Sequence, residues 1–556
     1  MSKYVYGIDL GTTYSCIAYQ DENGRPVVLK NLDGDSTTPS VVQFPDEGSV
    51  IVGKNAKGTS VMHPDHTIAF VKRLMGVEKV AYRNRNGEDI SPSEISSYIL
   101  DKVAKDAGKM NDDTVTDVVI TCPAYFGENE REATKEAGRL AGLNVLAIIE
   151  EPTAAAVYYG CTRNADDKTV LIYDLGGGTF DITVMKISDG EVRVICTDGN
   201  HSLGGKDWDD ALKRYFMEVF LEQTDYDGEF DTESLQDLTL LVEDAKISLS
   251  QRPSVKKMMY VQGVRASIEI TQEQFEEITV PTLLSSTISL TKSAIEVAKT
   301  KGVTNIDEIL LVGGSSKMPQ VLNAIKENFG IEPKILEPDE AVAKGAAIYA
   351  ILMRESSIPS FISDDESKDI IETKTDESTG DITYVVEDVE TGQREEIVQA
   401  RTMSLAPAGG AVKVISASTK SFGIKVIMNE IDRIYNMILK DNELPIIVTE
   451  GFSTHDDGQE SVAIQIFEST IATKDYAVDQ EFYKGEAILP LPPNTPAGTP
   501  ISITMELSND GTLKIRGVNP QTGEECRGEF QSDCILNKDE FEKARSRVTA
   551  LAKTIE

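Results

Sequence analysis

Basic side chains are scarce in this chain: 55 lysines and arginines face 92 aspartates and glutamates, a formal net charge of −37 at pH 7. So little cationic surface argues against nucleic acid or an anionic membrane as partner, because phosphate binding draws on lysine and arginine. Long apolar runs are missing as well. No stretch reaches the ~18 residues that a bilayer-spanning helix needs, and no charged-then-apolar leader heads the sequence, so a cytoplasmic location is expected. The six cysteines (Cys16, Cys122, Cys161, Cys196, Cys526 and Cys534) lack metal-ligand spacing and do not make a disulfide framework across 556 residues. Reduced, buried thiols are the expectation. That length exceeds what one hydrophobic core organises, so two to four domains are expected.

The most informative stretch present is Val170-Leu-Ile-Tyr-Asp-Leu-Gly-Gly-Gly-Thr-Phe-Asp-Ile-Thr-Val184, an apolar strand, a glycine bend and a second strand. Gly176, Gly177 and Gly178 carry no Cβ, so backbone N–H groups can approach a phosphate closely. Asp174 and Asp181 flank the bend, placed for a metal ion or an attacking water. Val5-Tyr-Gly-Ile-Asp-Leu-Gly-Thr-Thr-Tyr14 repeats the design, with Asp9 before the turn and Thr12 and Thr13 within it. One such loop is a weak signal, since a Gly-Gly turn after a strand is more often a plain bend. Two copies suggest a cleft gripping a polyphosphate from both sides. Phosphoryl transfer needs positioning, charge neutralisation and an oriented water. Asp9 and Asp174 could hold Mg²⁺ through water, Lys72 could neutralise the transferred phosphate, and Glu151 is a further carboxylate candidate.

Strand-like and helix-like segments alternate as far as about Leu352, an α/β pattern whose related halves begin at Tyr4 and Thr169. A helix is expected to open near Gly127 and close at Gly142. A third glycine turn lies in Ile309-Leu-Leu-Val-Gly-Gly-Ser-Ser316. Residues 356–411 are read as an acidic linker or small insert. Their composition favours a solvated tether, although the runs from Asp381 and Glu395 flank Thr391-Gly392 as the strands of a hairpin would. Residues 412–535 show short alternating runs parted by Asp-Gly and Thr-Gly turns, the pattern of an antiparallel β-sandwich. Asn537 and Glu540 then open a terminal helix within 536–556, with Phe541, Ala544, Val548, Leu551, Ala552 and Ile555 on one apolar face.

These phrases resemble the heat-shock protein 70 (DnaK-type) chaperone family. Gly7-Ile-Asp-Leu-Gly-Thr-Thr-Tyr-Ser-Cys16 is similar to its first phosphate loop and Asp174-Leu-Gly-Gly-Gly-Thr-Phe-Asp181 to its second. Pro123-Ala-Tyr-Phe, Arg139-Leu-Ala-Gly-Leu143 and Glu151-Pro-Thr-Ala-Ala-Ala are similar to its central segment, and Leu203-Gly-Gly-Lys-Asp-Trp208 to a phrase that follows. The resemblance covers residues 1–352 closely and 422–528 more faintly. It implies that residues 1–355 form an actin-like ATPase domain, two lobes on ribonuclease-H-like sheets around an ATP cleft, followed by a peptide-binding sandwich and a residual lid helix.

The same resemblance implies ATP or ADP with Mg²⁺ as cofactors. Thr12, Thr13, Gly176, Gly177, Gly178 and Thr179 would meet the phosphates, and Gly11, Tyr14, Gly204 and Gly205 would belong to the same nucleotide site. Glu243, Lys246, Ser250, Gly313, Gly314, Ser315, Lys317 and Asp339 would meet the nucleoside, and helical spacing independently puts Glu243, Lys246 and Ser250 on one face. Asp9, Glu151 and Asp174 would form the metal and water shell, and Lys72, Glu151, Asp174 and Thr179 the catalytic set. Pro123 and Arg131 would relay nucleotide state toward the sandwich. There, Ile424, Ile427, Phe452, Val462 and Ile464 would line a groove for extended apolar polypeptide, with His455 above it. Plain sandwich core is the competing reading of those residues. Implied partners are unfolded polypeptides, a J-domain co-chaperone and a nucleotide exchange factor, acting on a monomer with slow turnover.

Three departures qualify the resemblance. Lys317 stands where the family has arginine, and lysine has no planar guanidinium to stack on adenine. Val412-Lys-Val-Ile-Ser416 stands for a leucine-rich linker but carries a charge and lacks the closing acid. A lid of one helix predicts fast peptide release. An ATP-dependent chaperone is therefore expected, the alternative being a nucleotide-gated holdase or exchange partner with little turnover. A sugar kinase or actin-like filament has no use for the sandwich.

Overall fold

The computed structural model describes residues 3–46, 48–162, 167–188, 191–356, 368–375, 382–388, 394–399, 413–508, 512–528 and 535–551. Two sheets of one design organise the first part of the chain. In the first, Asn144–Glu150, Asp117–Cys122, Tyr6–Asp9, Tyr14–Gln20 and Pro26–Val28 lie side by side, with Thr38–Pro39 attached to Tyr14–Gln20. In the second, Lys334–Ile335, Glu308–Val312, Lys168–Leu175, Phe180–Ser188 and Glu191–Asn200 follow in the same order. Each lobe thus has an antiparallel hairpin whose first strand runs parallel to its other neighbour. The two glycine bends are the turns of these hairpins, so both sit at the C-terminal end of a strand with a parallel neighbour. Open α/β sheets place their ligand crevices at such ends.

Two helices, Glu151–Thr162 and Ala341–Ser356, pack between the sheets. Ala154, Ala155, Ala156, Ala343, Ala346 and Ala347 on these helices are all fully buried, and Ala343 and Ala347 pack against Cys16 and Ala18 of the first sheet. Small side chains let the backbones close in: a Cβ on Gly345 would overlap the Ala154 carbonyl, and one on Gly7 the backbone of Ala347. This tight crossing fixes the floor between the lobes and brings Glu151, the first residue of its helix, to the cleft. The expected helix is Glu128–Leu140, and Gly142 takes φ +78° past its end while the Leu143 N–H reaches the Gly138 carbonyl at 3.0 Å.

The acidic segment expected as a tether contains a three-stranded antiparallel sheet, Lys368–Thr375, Ile382–Asp388 and Arg394–Gln399. The two runs read as hairpin strands do pair, while Thr391 and Gly392 lie outside the described residues. Lys368–Thr375 escaped the sequence reading because its charge masks a strand-forming Ile370-Ile371 and Thr373. A second correction concerns the head of the sandwich. Lys413–Ile415 does not join it but runs parallel to Glu191–Asn200, pairing the otherwise open edge of the second sheet.

The sandwich proper stacks a five-stranded sheet (Asp475–Ala477, Ile431–Ile438, Ser421–Met428, Gln459–Ser469, Tyr483–Thr495) on a four-stranded one (Ile446–Ser453, Pro500–Leu507, Leu513–Val518, Glu525–Gly528). Ile424, Ile464, Ile466, Leu489, Ile503, Met505 and Ile515 fill its interior. The helix Lys538–Leu551 opens on the expected box, with Asn537 N–H on Glu540 at 3.0 Å and Glu540 N–H on Asn537 Oδ1 at 3.0 Å. It lies on the first lobe rather than over the sandwich: Val548 joins that lobe's core and Arg547 donates to buried Glu94 at 2.9 and 2.7 Å. Ala552 and Ile555 lie outside the described residues. Among the described residues the cysteines are free thiols, and no helix is long and apolar enough to cross a membrane.

Candidate active site between the lobes

A cleft of about 730 Å³ is lined by both hairpin turns, the helix Thr232–Leu249 and the turn after Glu308–Val312. The glycines of the second turn press on the threonines of the first. A Cβ on Gly177 would overlap the Thr13 side chain, and one on Gly178 the Thr12 side chain. Gly204 backs onto the same turn, where a Cβ would come within 2.6 Å of the nitrogens of Gly178 and Thr179. Gly313, at φ +79°, supports the turn from the next strand, its Cβ position 2.5 Å from Asp174 Oδ1. Turn carbonyls are occupied elsewhere. Gly205 N–H bonds the Gly176 carbonyl at 2.9 Å and Lys206 N–H that of Gly177 at 2.8 Å, as the helix Gly205–Thr224 begins. These two oxygens therefore satisfy orphan helix donors and are not aimed at an incoming anion.

Acids crowd the floor. Burial pushes the Asp9 carboxyl up to about 7, with Glu151 adding to the rise and Lys72 opposing it, while the Thr121 hydroxyl donates to Asp9 at 3.1 Å. Burial, then Glu151, lifts Asp174 and Asp181 well above the usual carboxylate range. Asp181 accepts the Ala124 N–H at 3.1 Å through one oxygen; the other is buried without a hydrogen-bond partner. Lys72, 5% exposed, pairs with Glu151. Burial works against its ammonium, but Glu151 and Asp9 outweigh that and hold its pKa above the ordinary lysine value.

Four carboxylates around one ammonium leave a buried deficit of positive charge, the electrostatic condition that a bound cation relieves. Among the described residues no group of three His, Cys, Asp or Glu is arranged to ligate a metal directly. Glu151 is engaged by Lys72. The chemistry of the site suits a hydrated Mg²⁺, which keeps several waters and takes phosphate oxygens.

Glu243, Lys246 and Ser250 share one wall of the cleft. Lys246 is fixed by the Gly205 carbonyl at 2.9 Å and Asp209 at 2.8 Å, and Ser250 donates to the Lys246 carbonyl at 3.2 Å. Glu243 reaches across to Lys57 of the first lobe at 2.7 Å, and Lys57 also donates to the Tyr14 hydroxyl at 2.8 Å. Gly314, Ser315 and the half-exposed Lys317–Asp339 pair complete the far end. Arg131, 7% exposed, grips Glu150 at 2.5 Å and the Phe126 carbonyl at 3.1 Å, in the turn where Phe126 N–H bonds the Pro123 carbonyl at 3.2 Å. Thr419, on the path into the sandwich, donates to the same Phe126 carbonyl at 3.3 Å.

Sequence reasoning missed Lys57, Arg73 and Asp209. None of the three stands in a motif: Arg73 only follows Lys72 in the chain, and Lys57 and Asp209 lie outside the phrases quoted above.

The sandwich candidates do not converge as the cleft residues do. Ile424 and Ile464, each 2% exposed, belong to the sandwich core, a correction to their placement in a groove. Val462 and Phe452 are half-buried against that core. Ile427 is 48% exposed on the opposite face of its strand, because alternate residues of a strand point to opposite sides. His455 is exposed and its Nδ1 lies 2.9 Å from Asp456.

The profile of the family described as Hsp70 protein matches residues 5–382. Curated chaperone proteins DnaK are similar along most of the chain. That of Thermosipho melanesiensis is 36% identical over 533 residues, 94% of this chain and 79% of the relative. That of Thermotoga neapolitana is 34% identical over 536 residues, covering 94% and 79%. That of Halobacterium salinarum is 34% identical over 572 residues, covering 99% and 80%. With the paired glycine–threonine turns, the repeated sheets and the sandwich on the page, the match settles the kinship: this chain belongs to the Hsp70 family.

Proposed function

We propose that this protein is an ATP-dependent molecular chaperone, hydrolysing ATP to ADP and phosphate in the interlobe cleft and binding extended apolar segments of unfolded polypeptide through the sandwich. The observation that carries the reading is the mutual contact of the two glycine–threonine turns above buried Lys72 among four acids. The repeated sheet order supports an actin-like, ribonuclease-H-like construction of both lobes.

Bound ATP supplies the transferable phosphoryl group, and Mg²⁺ supplies charge neutralisation. Thr12, Thr13 and Thr179, with Gly11 and Gly176–Gly178, hold the phosphate chain; Glu243, Lys246, Ser250, Gly313–Ser315, Lys317 and Asp339 hold the nucleoside end. Tyr14, Gly204 and Gly205 shape the walls. Asp9 and Asp174, with Glu151 behind Lys72, hold the hydrated cation. Asp174 accepts a hydrogen bond from the attacking water, and Lys72 places its positive charge where negative charge builds. Glu150 next to Glu151 ties the cleft to Arg131, and the Phe126 carbonyl shared with Thr419 continues that path toward the sandwich. Pro123 and Arg131 are accordingly the relay. Turnover is slow without a J-domain partner, an exchange factor renews the nucleotide, and the working unit is a cytoplasmic monomer.

Lys72→Ala tests the chemistry. Single-turnover hydrolysis should fall by at least about 100-fold, the scale on which a preorganised charge acts on a transition state. ATP affinity by calorimetry should stay within a few-fold. Undiminished turnover would remove Lys72 from its role.

A further inference from the structure

Arg73 follows Lys72 on the short 3-10 turn Val71–Leu74 of the first lobe, entered through Phe70 in the left-handed region at φ +59°. Its side chain crosses the cleft mouth to the second lobe. Nε and Nη2 donate to the Gly178 carbonyl at 2.9 and 2.6 Å, and Nη2 also donates to Asp207 Oδ2 at 2.8 Å. Asp207 Oδ2 in turn accepts the Gly204 N–H at 2.7 Å, and Gly204 lies against Gly178 and Thr179. One guanidinium therefore binds both layers of the phosphate turn. No other contact described in the site joins the lysine-bearing segment of one lobe directly to the glycine turn of the other.

The geometry has a specific consequence. In a planar trans peptide the C=O and the following N–H point in opposite directions. Holding the Gly178 carbonyl on Arg73 therefore turns the Thr179 N–H to the other side of that peptide. Gly176, Gly177 and Thr179 line the cleft, whereas Gly178 faces Thr12 and Arg73. With three glycines in a row, this turn has little intrinsic preference for one peptide orientation; a fork with two donors on one oxygen supplies it. Lysine, a single point charge on a flexible stem, cannot reproduce that fork.

We propose that Arg73 is a positioning residue that locks the Gly178–Thr179 peptide and ties it to Lys72, so that the phosphate turn of the second lobe and the charge of the first are held in one fixed relation. The inference rests on the ATPase reading for its kinetic consequence, but not for its structural one. The test uses the full chain carrying Arg73→Ala or Arg73→Lys.

Hydrogen exchange on the nucleotide-free protein reads the lock directly. Arg73→Ala should speed exchange in peptides spanning 174–181 by at least about tenfold while leaving the helix Glu128–Leu140 unchanged, because one cooperative contact is lost locally. With ATP and Mg²⁺, single-turnover hydrolysis should drop roughly 100-fold, the cost of misplacing a reacting group by about an ångström. ADP affinity should stay within about threefold, and Arg73→Lys should recover only part of the rate. Unchanged exchange across 174–181 overturns the lock. A rate equal to wild type, or a fall in ADP affinity matching the fall in rate, overturns the positioning role. Absence of hydrolysis in the wild type overturns the ATPase reading alone, and the exchange experiment still decides on Arg73.

Discussion

The cleft and the sandwich face differ in how their residues are held in place. In the cleft, Thr12 and Thr13 meet Gly178 and Gly177 although more than 160 positions separate them, and Lys57 and Glu243 meet from opposite lobes. Each contact depends on one residue type: a missing Cβ, a hydroxyl, a charge of given sign. On the sandwich the candidates divide by pleat. Phe422, Ile424 and Val426 turn inward while Ile427 turns out, and Val462, Ile464 and Ile466 share the inner side. Positioning a phosphate demands fixed atoms, whereas holding an extended chain demands backbone edges and loosely specified apolar area. Substitutions should therefore be severe and local in the cleft and mild on the face.

The largest effect on ATP affinity is expected at Gly177. In Gly177→Ala the new methyl falls on the Thr13 side chain, so either the turn or the lobe must shift. Overpacking of this kind costs roughly 1–3 kcal/mol, or about 5- to 150-fold in ATP affinity by calorimetry. Peptide binding in the absence of nucleotide should be unaffected. Unaltered ATP affinity would mean that this glycine serves turn flexibility alone, and the contrast between the two regions would lose its steric basis.

The same contrast explains what could be read in the sequence. The Asp-Leu-Gly phrases announced the cleft because close backbone approach admits almost nothing but glycine, and the alternation in 412–528 announced a sandwich. Arg73 stayed hidden because one partner is a backbone carbonyl and the other, Asp207, is distant in sequence, so neither leaves a mark beside it. Ile424 and Ile464 were set beside Ile427 by family correspondence, although period-two counting along Ser421–Met428 already separates Ile424 from Ile427. Lys413–Ile415 was assigned to the wrong sheet because three residues carry too little pattern to choose between two edges. The acidic insert concealed its third strand since ladder hydrogen bonds are indifferent to charge composition.

Between the two regions lies a boundary with its own expected signature, intermediate in size. Burial and then Glu468 push the Glu128 carboxyl up to about 7, and Glu130 is raised by the same two causes. Glu468 is 6% exposed, with Lys484 Nζ at 3.0 Å as an ion pair lacking hydrogen-bond alignment. Leu513 N–H, from the sandwich, reaches Glu128 at 3.4 Å. If the sandwich leaves the first lobe, Glu128 returns toward the usual range near ~4.3. The docked state therefore binds more protons between those values. Docking is favoured at low pH, weakens as pH rises toward 7, and is flat above it. Energy transfer between dyes on the lobe and the sandwich should report roughly tenfold tighter docking at pH 5.5 than at pH 8, after allowing for screening at this partly exposed edge. Glu128→Gln should flatten most of that profile; an unchanged slope would move the proton linkage elsewhere.

The smallest effect is expected at Ile427, and it bears most directly on the sandwich. Its side chain is 48% exposed and on the face opposite Ile424, so Ile427→Ser removes only about half of a side chain's burial. Thermal stability should fall by no more than ~1 kcal/mol. About half of an isoleucine surface remains available to a bound peptide, worth ~1 kcal/mol, or about fivefold in affinity for an apolar fluorescent peptide. ATP affinity should not move. A loss of stability on the scale of a core deletion would invert the assignment of faces along Ser421–Met428. Equal peptide affinity with equal stability would instead place the groove on the edges of the sheets, where backbone groups and not this side chain do the holding.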